Sequence, residues 1–370
     1  METDEKYMWL ALDLARQGLG RTSPNPVVGA VIVKNGEILG TGYHQAAGTP
    51  HAEIHALQNA GERAEGATLY VTLEPCVHHG KTPPCTDRII EAGIKKVVIS
   101  MVDPNPLVSG SGVKALEEAG IKVKISVLED KARILNEVFI KYITTGLPFV
   151  TSKSAMSLDG KIATRRGFSR WITSEKSREY AHQVRNRVDG IMVGIGTVLA
   201  DDPRLTARVE GEETRDPVRI IVDSYARLPL ESRVVRMSGQ SSRTILATTD
   251  LAPPDKVKAL SDLGVEVFKG EVIDKAVDLR GLMKYLGEEG ICSILVEGGS
   301  TLNYSLVKEG LIDKVLFFVA PKIIGGNGAP TPVGGEGIDF LDDAWQVQDL
   351  KVKQLGDDVL LTGYLGKGAD

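Results

Sequence analysis

Twice the chain carries the same five residues, Glu91-Ala92-Gly93-Ile94-Lys95 and Glu118-Ala119-Gly120-Ile121-Lys122. In each copy the glycine falls between an amphipathic stretch and an apolar one. That is where a helix ends in left-handed backbone and a strand begins. Two copies are too few for a solenoid, so they read as successive helix-to-strand joints of a layered α/β sheet. The surrounding pattern agrees. Helices are expected over 7–17, 51–60, 86–92, 113–119 and 131–142, and strands over 27–33, 38–42, 69–73, 96–100 and 122–127. Asn35-Gly36 joins the first two strands with the residue pair that hairpin turns favour. A second α/β pattern opens after Thr145-Gly146-Leu147-Pro148, with strands over 149–154, 190–193, 219–222, 244–247, 293–296 and 315–319. Its helices are expected over 177–187, 256–260 and 301–309, and residues 209–216 read as a charged loop. A chain of 370 residues exceeds one ordinary core. Two domains are therefore expected, 1–146 and 147–370.

Within the first half, Pro50-His51-Ala52-Glu53 is followed by Glu74-Pro75-Cys76 and by Pro84-Cys85. One His and two Cys make the three-ligand set of a catalytic zinc site, whose fourth position is kept for water. A carboxylate two residues past the His can handle protons. Zinc deaminases use this layout, with a Glu that is not a ligand as general acid and base. The chain departs from their signature in one respect, since eight residues and not two separate Cys76 from Cys85. Helix starts at these positions would favour thiolate over thiol. Alternatives stand beside this reading. A closed structural zinc site needs a fourth protein ligand, for which His55 is the candidate on the same helix face. A Cys76–Cys85 disulfide would need an oxidising compartment, and no signal segment points to one. A zinc protease would carry H-E-x-x-H, whereas here Ala52 separates His51 from Glu53.

Composition narrows the class. A hydrophobic fraction of 42% with 25% charged residues is that of a globular protein. No apolar run reaches membrane-span length, and the acidic start Met1-Glu2-Thr3-Asp4-Glu5 argues against secretory and transit signals. With a net charge of −5 there is no general nucleic-acid surface. A cytoplasmic enzyme with small-molecule substrates is expected, without nucleic-acid or membrane partners.

Two turns in the second half suit phosphate. Leu295-Val296-Glu297-Gly298-Gly299-Ser300-Thr301-Leu302 reads as strand, glycine pair and helix start, which offers free backbone N–H groups to an anion. Val193-Gly194-Ile195-Gly196-Thr197 has two glycines after a strand but lacks the third of G-x-G-x-x-G. A plain strand-to-helix turn explains it better than a phosphate site does, whereas the Gly298-Gly299 turn fits either reading equally.

Taken in order, Ser23-Pro24-Asn25-Pro26-Val27-Val28-Gly29, Pro50-His51-Ala52-Glu53, Thr72-Leu73-Glu74-Pro75-Cys76, Pro83-Pro84-Cys85 and Asp103-Pro104-Asn105-Pro106 form a specific series. Ser157-Leu158-Asp159-Gly160-Lys161, Trp171-Ile172-Thr173-Ser174, Ala200-Asp201-Asp202-Pro203, Val296-Glu297-Gly298-Gly299 and Ala320-Pro321-Lys322 continue it. The series resembles the bifunctional deaminase/reductase family of riboflavin biosynthesis known as RibD or RibG, over nearly the whole chain. The long loop between the two Cys is a mark of that family. The resemblance implies a cytidine-deaminase-like three-layer α/β/α domain followed by a dihydrofolate-reductase-like α/β domain. The first would hydrolyse an amino group from 2,5-diamino-6-(5-phosphoribosylamino)pyrimidin-4-one with zinc. The second would reduce the ribosyl chain of the product to ribityl with NADPH. A homo-oligomer, dimer or tetramer, is implied as well.

The resemblance also assigns positions. His51, Cys76 and Cys85 would hold the metal and Glu53 would be catalytic. Asn25, His44, His78, Lys81, Asp103 and Asn105 would line the deaminase pocket, although His44 and His78 also fit ordinary loop or core histidines and Lys81 a solvated loop. Many relatives have a basic residue where this chain has Ser111, which puts the phosphate contact there in question. Ala155, Trp171, Thr197, Asp201, Ser224 and the run Gly299, Ser300, Thr301, Leu302, Asn303, Tyr304, Ser305 match dinucleotide positions. Ser169, Arg185, Leu205, Arg208 and Glu297 match substrate positions. Arg185 and Arg208 suit a phosphate by charge and fork geometry, but also suit surface ion pairs. Trp171 also fits a core position, and Lys153 and Asp159 are candidates for proton handling. Two other readings remain. One is a cytidine or tRNA adenosine deaminase with an appended nucleotide-binding domain, which a test on cytidine decides. The other is a non-enzymatic scaffold, which zinc content and ammonia release decide.

Overall fold

The structure, a computed structural model, describes residues 3–77, 83–106 and 108–366. Its contacts divide the chain into two compact units, residues 1–146 and 147–370. Unit 1 runs α1 (Thr3–Arg16), β1 (Gly29–Lys34), β2 (Glu37–Tyr43), α2 (Ala52–Ala60), β3 (Thr68–Leu73), α3 (Cys85–Glu91), β4 (Lys96–Met101), α4 (Ser111–Glu118), β5 (Lys122–Lys124), α5 (Glu129–Leu135) and α6 (Glu137–Thr145).

Its five strands lie in the order β2-β1-β3-β4-β5. β1 is antiparallel to both neighbours, and β3, β4 and β5 are parallel. Asn35 and Gly36 both take positive φ, 53° and 86°, as a two-residue hairpin turn requires. Two helices sit very close to this sheet. A Cβ on Gly29 would fall 1.9 Å from the Ala11 carbonyl oxygen of α1. One on Gly42 would fall 2.4 Å from the Ala52 carbonyl oxygen of α2. Gly42 pairs with Ala30, and Gly29 with Tyr43. Because paired residues share a face and neighbours alternate, α1 and α2 cover opposite faces. The result is a three-layer α/β/α unit, and β1 is buried along Gly29–Val33.

Three sequence expectations change here. The helix expected over 131–142 is two helices broken at Asn136. The side chain of Asn136 accepts from Val27 N (2.9 Å) and donates to Val27 O (3.0 Å), tying the break to the start of the sheet. The strand expected over 122–127 keeps only Lys122–Lys124. Cys76 lies in the loop after β3 and not on a helix; only Cys85 opens one.

Unit 2 runs β6 (Phe149–Ser157), α7 (Glu175–Arg185), β7 (Gly190–Gly194), α8 (Ile195–Asp201), β8 (Val218–Val222), α9 (Arg233–Arg236), β9 (Thr244–Thr248), α10 (Pro254–Asp262), β10 (Glu266–Lys269), β11 (Val272–Ile273), β12 (Ala276–Val277), α11 (Leu279–Glu288), β13 (Ser293–Val296), α12 (Ser300–Lys308), β14 (Lys314–Ala320), β15 (Gln346–Leu355) and β16 (Asp358–Gly366). Nine strands form one sheet, β10-β9-β8-β7-β13-β6-β14-β16-β15. It is parallel from β10 to β14 and ends in the antiparallel hairpin β15–β16. Alternate residues of the central strands feed two cores. Met192, Ile220, Ile245 and Ile294 pack on one face, and Ile191, Val193, Ile221 and Leu246 on the other. A parallel sheet covered on both faces makes its strands read as unbroken apolar runs. Among the described residues, no helix is long and apolar enough to cross a membrane.

Candidate active sites

The close seating of α2 on the sheet carries His51 to the first site. His51 is the N-cap of α2, and its Nδ1 lies 3.2 Å from Cys85 Sγ and 3.7 Å from Cys76 Sγ. All three ligand atoms fall within 4.8 Å of one another. Tetrahedral zinc with two sulfurs and one nitrogen sets its donors roughly 3.5–3.8 Å apart, so the donor set and its spacing fit that metal. The two ends of the long loop are tied beside the sulfurs. Cys85 N donates to Cys76 Sγ (3.4 Å), and Thr86 Oγ1 donates to Cys76 O (3.2 Å). The Cys85 thiol, with the Cys85 N–H and His51 beside it, draws Cys76 down to about 4. Its hydrogen bond to Cys76, with burial, holds Cys85 up. The pair therefore shares one proton, which a metal displaces. Hydrogen bonding to Cys76 raises His51.

Glu53, two residues beyond His51 in the first turn of α2, is buried at 3% exposure. Burial pushes its carboxyl up, against the opposing pull of His51. His55 stands apart from the cluster: among the described residues the converging ligands are His51, Cys76 and Cys85. Among the described residues the fourth metal position therefore has no protein donor, which argues against His55 closing a structural site.

Around this centre, His44 is buried and meets the His51 ring edge-on at 5.4 Å. Its Nδ1 lies 3.3 Å from Pro50 O and its Nε2 lies 3.5 Å from Asn25 Nδ2. Those partners select the Nδ1–H tautomer, with Nε2 accepting, and burial lowers the His44 pKa so that the ring is neutral. Asn105 N donates to Asp103 Oδ1 (2.9 Å), which fixes these two residues as one turn. His78 and Lys81 lie outside the described residues.

Unit 2 holds a cavity of about 500 Å³, lined among others by Lys153, Ala155, Ser169, Trp171, Asp201, Arg208 and Glu297. Arg185 grips Glu297 with two parallel bonds, Nε to Oε1 at 2.6 Å and Nη2 to Oε2 at 2.7 Å, and Lys153 Nζ is 3.6 Å from Oε2. Burial opposes ionisation of Glu297, but Arg185 and Lys153 outweigh it and hold the carboxyl well below its usual range. Arg185 also donates to Thr206 O (3.3 Å), so its fork is committed to protein groups. Arg208 Nη2 lies 3.1 Å from His182 Nε2. Burial, then Arg185 and Arg208, lower His182 to about 4, which leaves a neutral acceptor for the Arg208 guanidinium. The cationic charge offered to an anion here is that of Arg208 more than of Arg185.

Trp171 is 64% exposed, which removes the core reading. Arg178 and Arg170 flank its ring at 4.5 and 5.9 Å, and Lys322 Nζ donates to its carbonyl at 2.7 Å. Arg178, His182 and Lys322 escaped the sequence reading, although Lys322 lies in a quoted motif. Asp159 accepts from Ser157 Oγ, Ile324 N and Gly325 N. These bonds hold it at about 2 and make it a loop clamp and not a proton carrier.

Both glycine turns lie at the carboxyl ends of the adjacent parallel strands β7 and β13. The β7 turn leads directly into α8, with Gly194 as N-cap, and Thr197 is on that helix. Gly299 caps α12, and a Cβ there would meet nothing within 4 Å. Within the run from Gly299 to Ser305 the contacts divide. Asn303 turns inward, donating to Pro332 O (2.8 Å) and lying 3.3 Å from Ser152 Oγ, and Leu302 is buried. Ser224 sits beyond β8, where its Oγ accepts from Val277 N (3.2 Å). Leu205 is buried at 4% exposure.

Comparison with known proteins gives two family matches, the "RibD C-terminal domain" over residues 148–361 and the "Cytidine and deoxycytidylate deaminase zinc-binding region" over residues 1–101. The riboflavin biosynthesis protein RibD of Actinobacillus pleuropneumoniae is 47% identical over 97% of this chain and 94% of its own length. That of Escherichia coli is 43% identical over 97% and 98%. Among solved structures, RibD of Acinetobacter baumannii superposes with a TM-score of 0.88 at 38% identity, covering 98% of this chain and 99% of that one. A diaminohydroxyphosphoribosylaminopyrimidine deaminase/5-amino-6-(5-phosphoribosylamino)uracil reductase of Thermotoga maritima gives 0.83 at 40%, with the same coverage.

Proposed function

The chain belongs to the RibD family, the bifunctional deaminase/reductases of riboflavin biosynthesis, and from this we propose how its two units divide the work. Residues 1–146 hydrolyse an amino group from 2,5-diamino-6-(5-phosphoribosylamino)pyrimidin-4-one and release ammonia. Residues 147–370 then reduce the ribosyl chain of the resulting uracil to ribityl with hydride from NADPH. The observation that carries the first half is the convergence of His51, Cys76 and Cys85 beside the buried Glu53.

His51 Nδ1, Cys76 and Cys85 would hold zinc, which would supply a water acidified to a pKa of roughly 7. Glu53 would move the protons: it takes the two protons of the water in turn, passing one to the ring nitrogen and the other to the departing amine. Burial suits it to both directions, because a raised carboxyl pKa lies closer to the working pH. Neutral His44, held by Pro50 and Asn25, presents a fixed wall to the pyrimidine. Asp103 and Asn105 contribute a second wall.

For the second half, ligands of open parallel sheets sit beyond the carboxyl ends of the strands. The β7 and β13 turns meet there, and the open space at Gly299 leaves room for a phosphate at the start of α12. Trp171, Ala155 and Asp201 lie on the cavity wall for the cofactor, and Ser169, Glu297 and Arg208 for the phosphorylated substrate. None of Cys76, Cys85 and Cys292 is in a disulfide, and a cytoplasmic setting is proposed from the family. A dimer or tetramer is proposed from the family.

Glu53→Gln tests the proton assignment. The amide keeps shape but cannot accept the water proton. One zinc per chain should remain while ammonia release falls about 10²–10⁴-fold. Full activity in a zinc-loaded variant removes Glu53 from the mechanism.

A further inference from the structure

We propose that Glu74 is a positioning residue which sets the substrate-binding turn of the deaminase against its metal centre; this rests on the reading of unit 1 given above. Glu74 lies just beyond β3, two residues before Cys76, and is buried at 4% exposure. Its nearness to the metal ligands suggests a second general base, but its bonds assign it another task. The carboxylate accepts four backbone N–H groups from one stretch of chain. Oε2 takes those of Asp103 and Gly110, both at 3.0 Å. Oε1 takes those of Gly112 (2.7 Å) and Val113 (3.0 Å).

Asp103 and Gly110 are the two ends of the loop that carries Asp103 and Asn105, so one oxygen closes that loop. Inside it, the Val108 and Ser109 N–H groups donate to Asn105 O, each at 2.9 Å. The other oxygen occupies the free N–H groups at the start of α4. A carboxylate offers about four acceptor sites, and these four bonds fill them. Glu74 therefore has no lone pair left for a proton from substrate. These same bonds leave the backbone N–H groups of Gly110, Gly112 and Val113 unavailable to the substrate phosphate. The fit is also tight: a Cβ on Gly112 would lie 2.2 Å from Pro75 O and 2.9 Å from Glu74 Cγ. Through this contact the step Glu74-Pro75-Cys76 fixes both a metal ligand and the Asp103–Asn105 turn. A charged acceptor makes each bond stronger than a neutral one.

The test measures ammonia release from the phosphoribosylated diaminopyrimidine by the full-length zinc-loaded protein, with NADPH-dependent reduction of the deaminated intermediate as a control in the same samples. Glu74→Gln should keep one zinc per chain and wild-type reduction. It should raise the KM for deamination about 10–100-fold, with kcat changed far less. Asn105→Ala should also raise KM. The double variant should cost little beyond the larger single effect, because both changes act on one turn. Gly112→Ala, which displaces the turn without altering any charge, should reproduce the KM effect and serves if Glu74→Gln does not fold. Loss of zinc in Glu74→Gln, independent costs in the double variant, or an unchanged KM in Gly112→Ala each overturn the proposal. An unchanged KM in Asn105→Ala instead overturns the reading of the turn as substrate-binding, and the proposal falls with it.

Discussion

Two glutamates shielded from solvent are shifted in opposite directions by what lies beside them. Burial pushes Glu53 up, whereas the Arg185 fork and Lys153 hold Glu297 down against the burial that opposes its ionisation. The first is suited to carry a proton and the second to stay charged. His182 is instead kept neutral, by burial and by its cationic neighbours Arg185 and Arg208. Its folded pKa of about 4 lies below the ordinary 6.5. Between those values the unfolded chain binds the proton more readily, so stability is lost as pH falls from 6.5 towards 4. Protonation would set the His182 ring N–H against the Arg208 donor. Glu297 adds to the loss below about 4.5, its unfolded value. Thermal melting from pH 7.5 to 4 should therefore show a steeper acid loss in the parent chain than in His182→Asn. Identical slopes would contradict a neutral His182. Side-chain identity alone names Glu53 and Glu297 as acids of interest, but what holds Glu297 ionised lies far off in the chain, Arg185 being 112 residues away.

At the scale of elements, the metal centre depends on how closely α2 lies on β2. Gly42→Ala would place a methyl 2.4 Å from the Ala52 carbonyl and 2.7 Å from Ala56 N. Backbone cannot yield as a flexible side chain does. Destabilisation of about 1–3 kcal/mol is expected, with weaker zinc retention because His51 starts the displaced helix. Melting and metal titration check this; wild-type values would mean the contact is slack. Gly299→Val is the opposite case. Its backbone, φ −76° and ψ 177°, is open to any residue, and no protein atom lies within 4 Å of the added Cβ. The chain should fold normally, deaminate normally and show a raised KM for NADPH, with rate partly recovered at saturation. A wild-type KM would move the cofactor phosphates to the β7–α8 turn.

The same contrast explains what sequence could reveal. Asn35-Gly36 and the apolar runs of the parallel strands declare themselves locally. The Gly42–Ala52 contact does not, since glycine spacing cannot say which helix approaches. The break at Asn136 needs Val27, more than a hundred residues earlier. α11 was legible, with Leu279, Leu282, Met283 and Leu286 buried at helical spacing, yet it was missed among neighbouring charges. β15 carries only a short signal: Leu350 and Val352 alternate with Lys351 and Lys353, but Gln346–Gln354 are all exposed, so the strand has no buried apolar face.

For the molecule as a whole, one chain joins two separate chemistries in sequence. The metal cluster belongs to the unit of residues 1–146 and the arginine-lined cavity to the unit of residues 147–370, so damage to one should spare the other. The spacing of His51, Cys76 and Cys85 was readable from the chain, as were both glycine turns. The commitment of Arg185 to Glu297 and of Glu74 to a backbone turn was not, because both arise from contacts between distant segments. The most direct measurement is a paired assay of the purified chain and its Cys76→Ser variant on the diaminopyrimidine substrate and on the deaminated intermediate. Ammonia and NADPH absorbance are followed, with NADPH present or omitted. The parent should release ammonia without NADPH and oxidise one NADPH per ammonia when the cofactor is supplied. Cys76→Ser should lose zinc and ammonia release yet still oxidise NADPH on the intermediate. Equal loss of both activities in a folded variant, or NADPH oxidation by the parent on the diaminopyrimidine without ammonia release, would contradict the account.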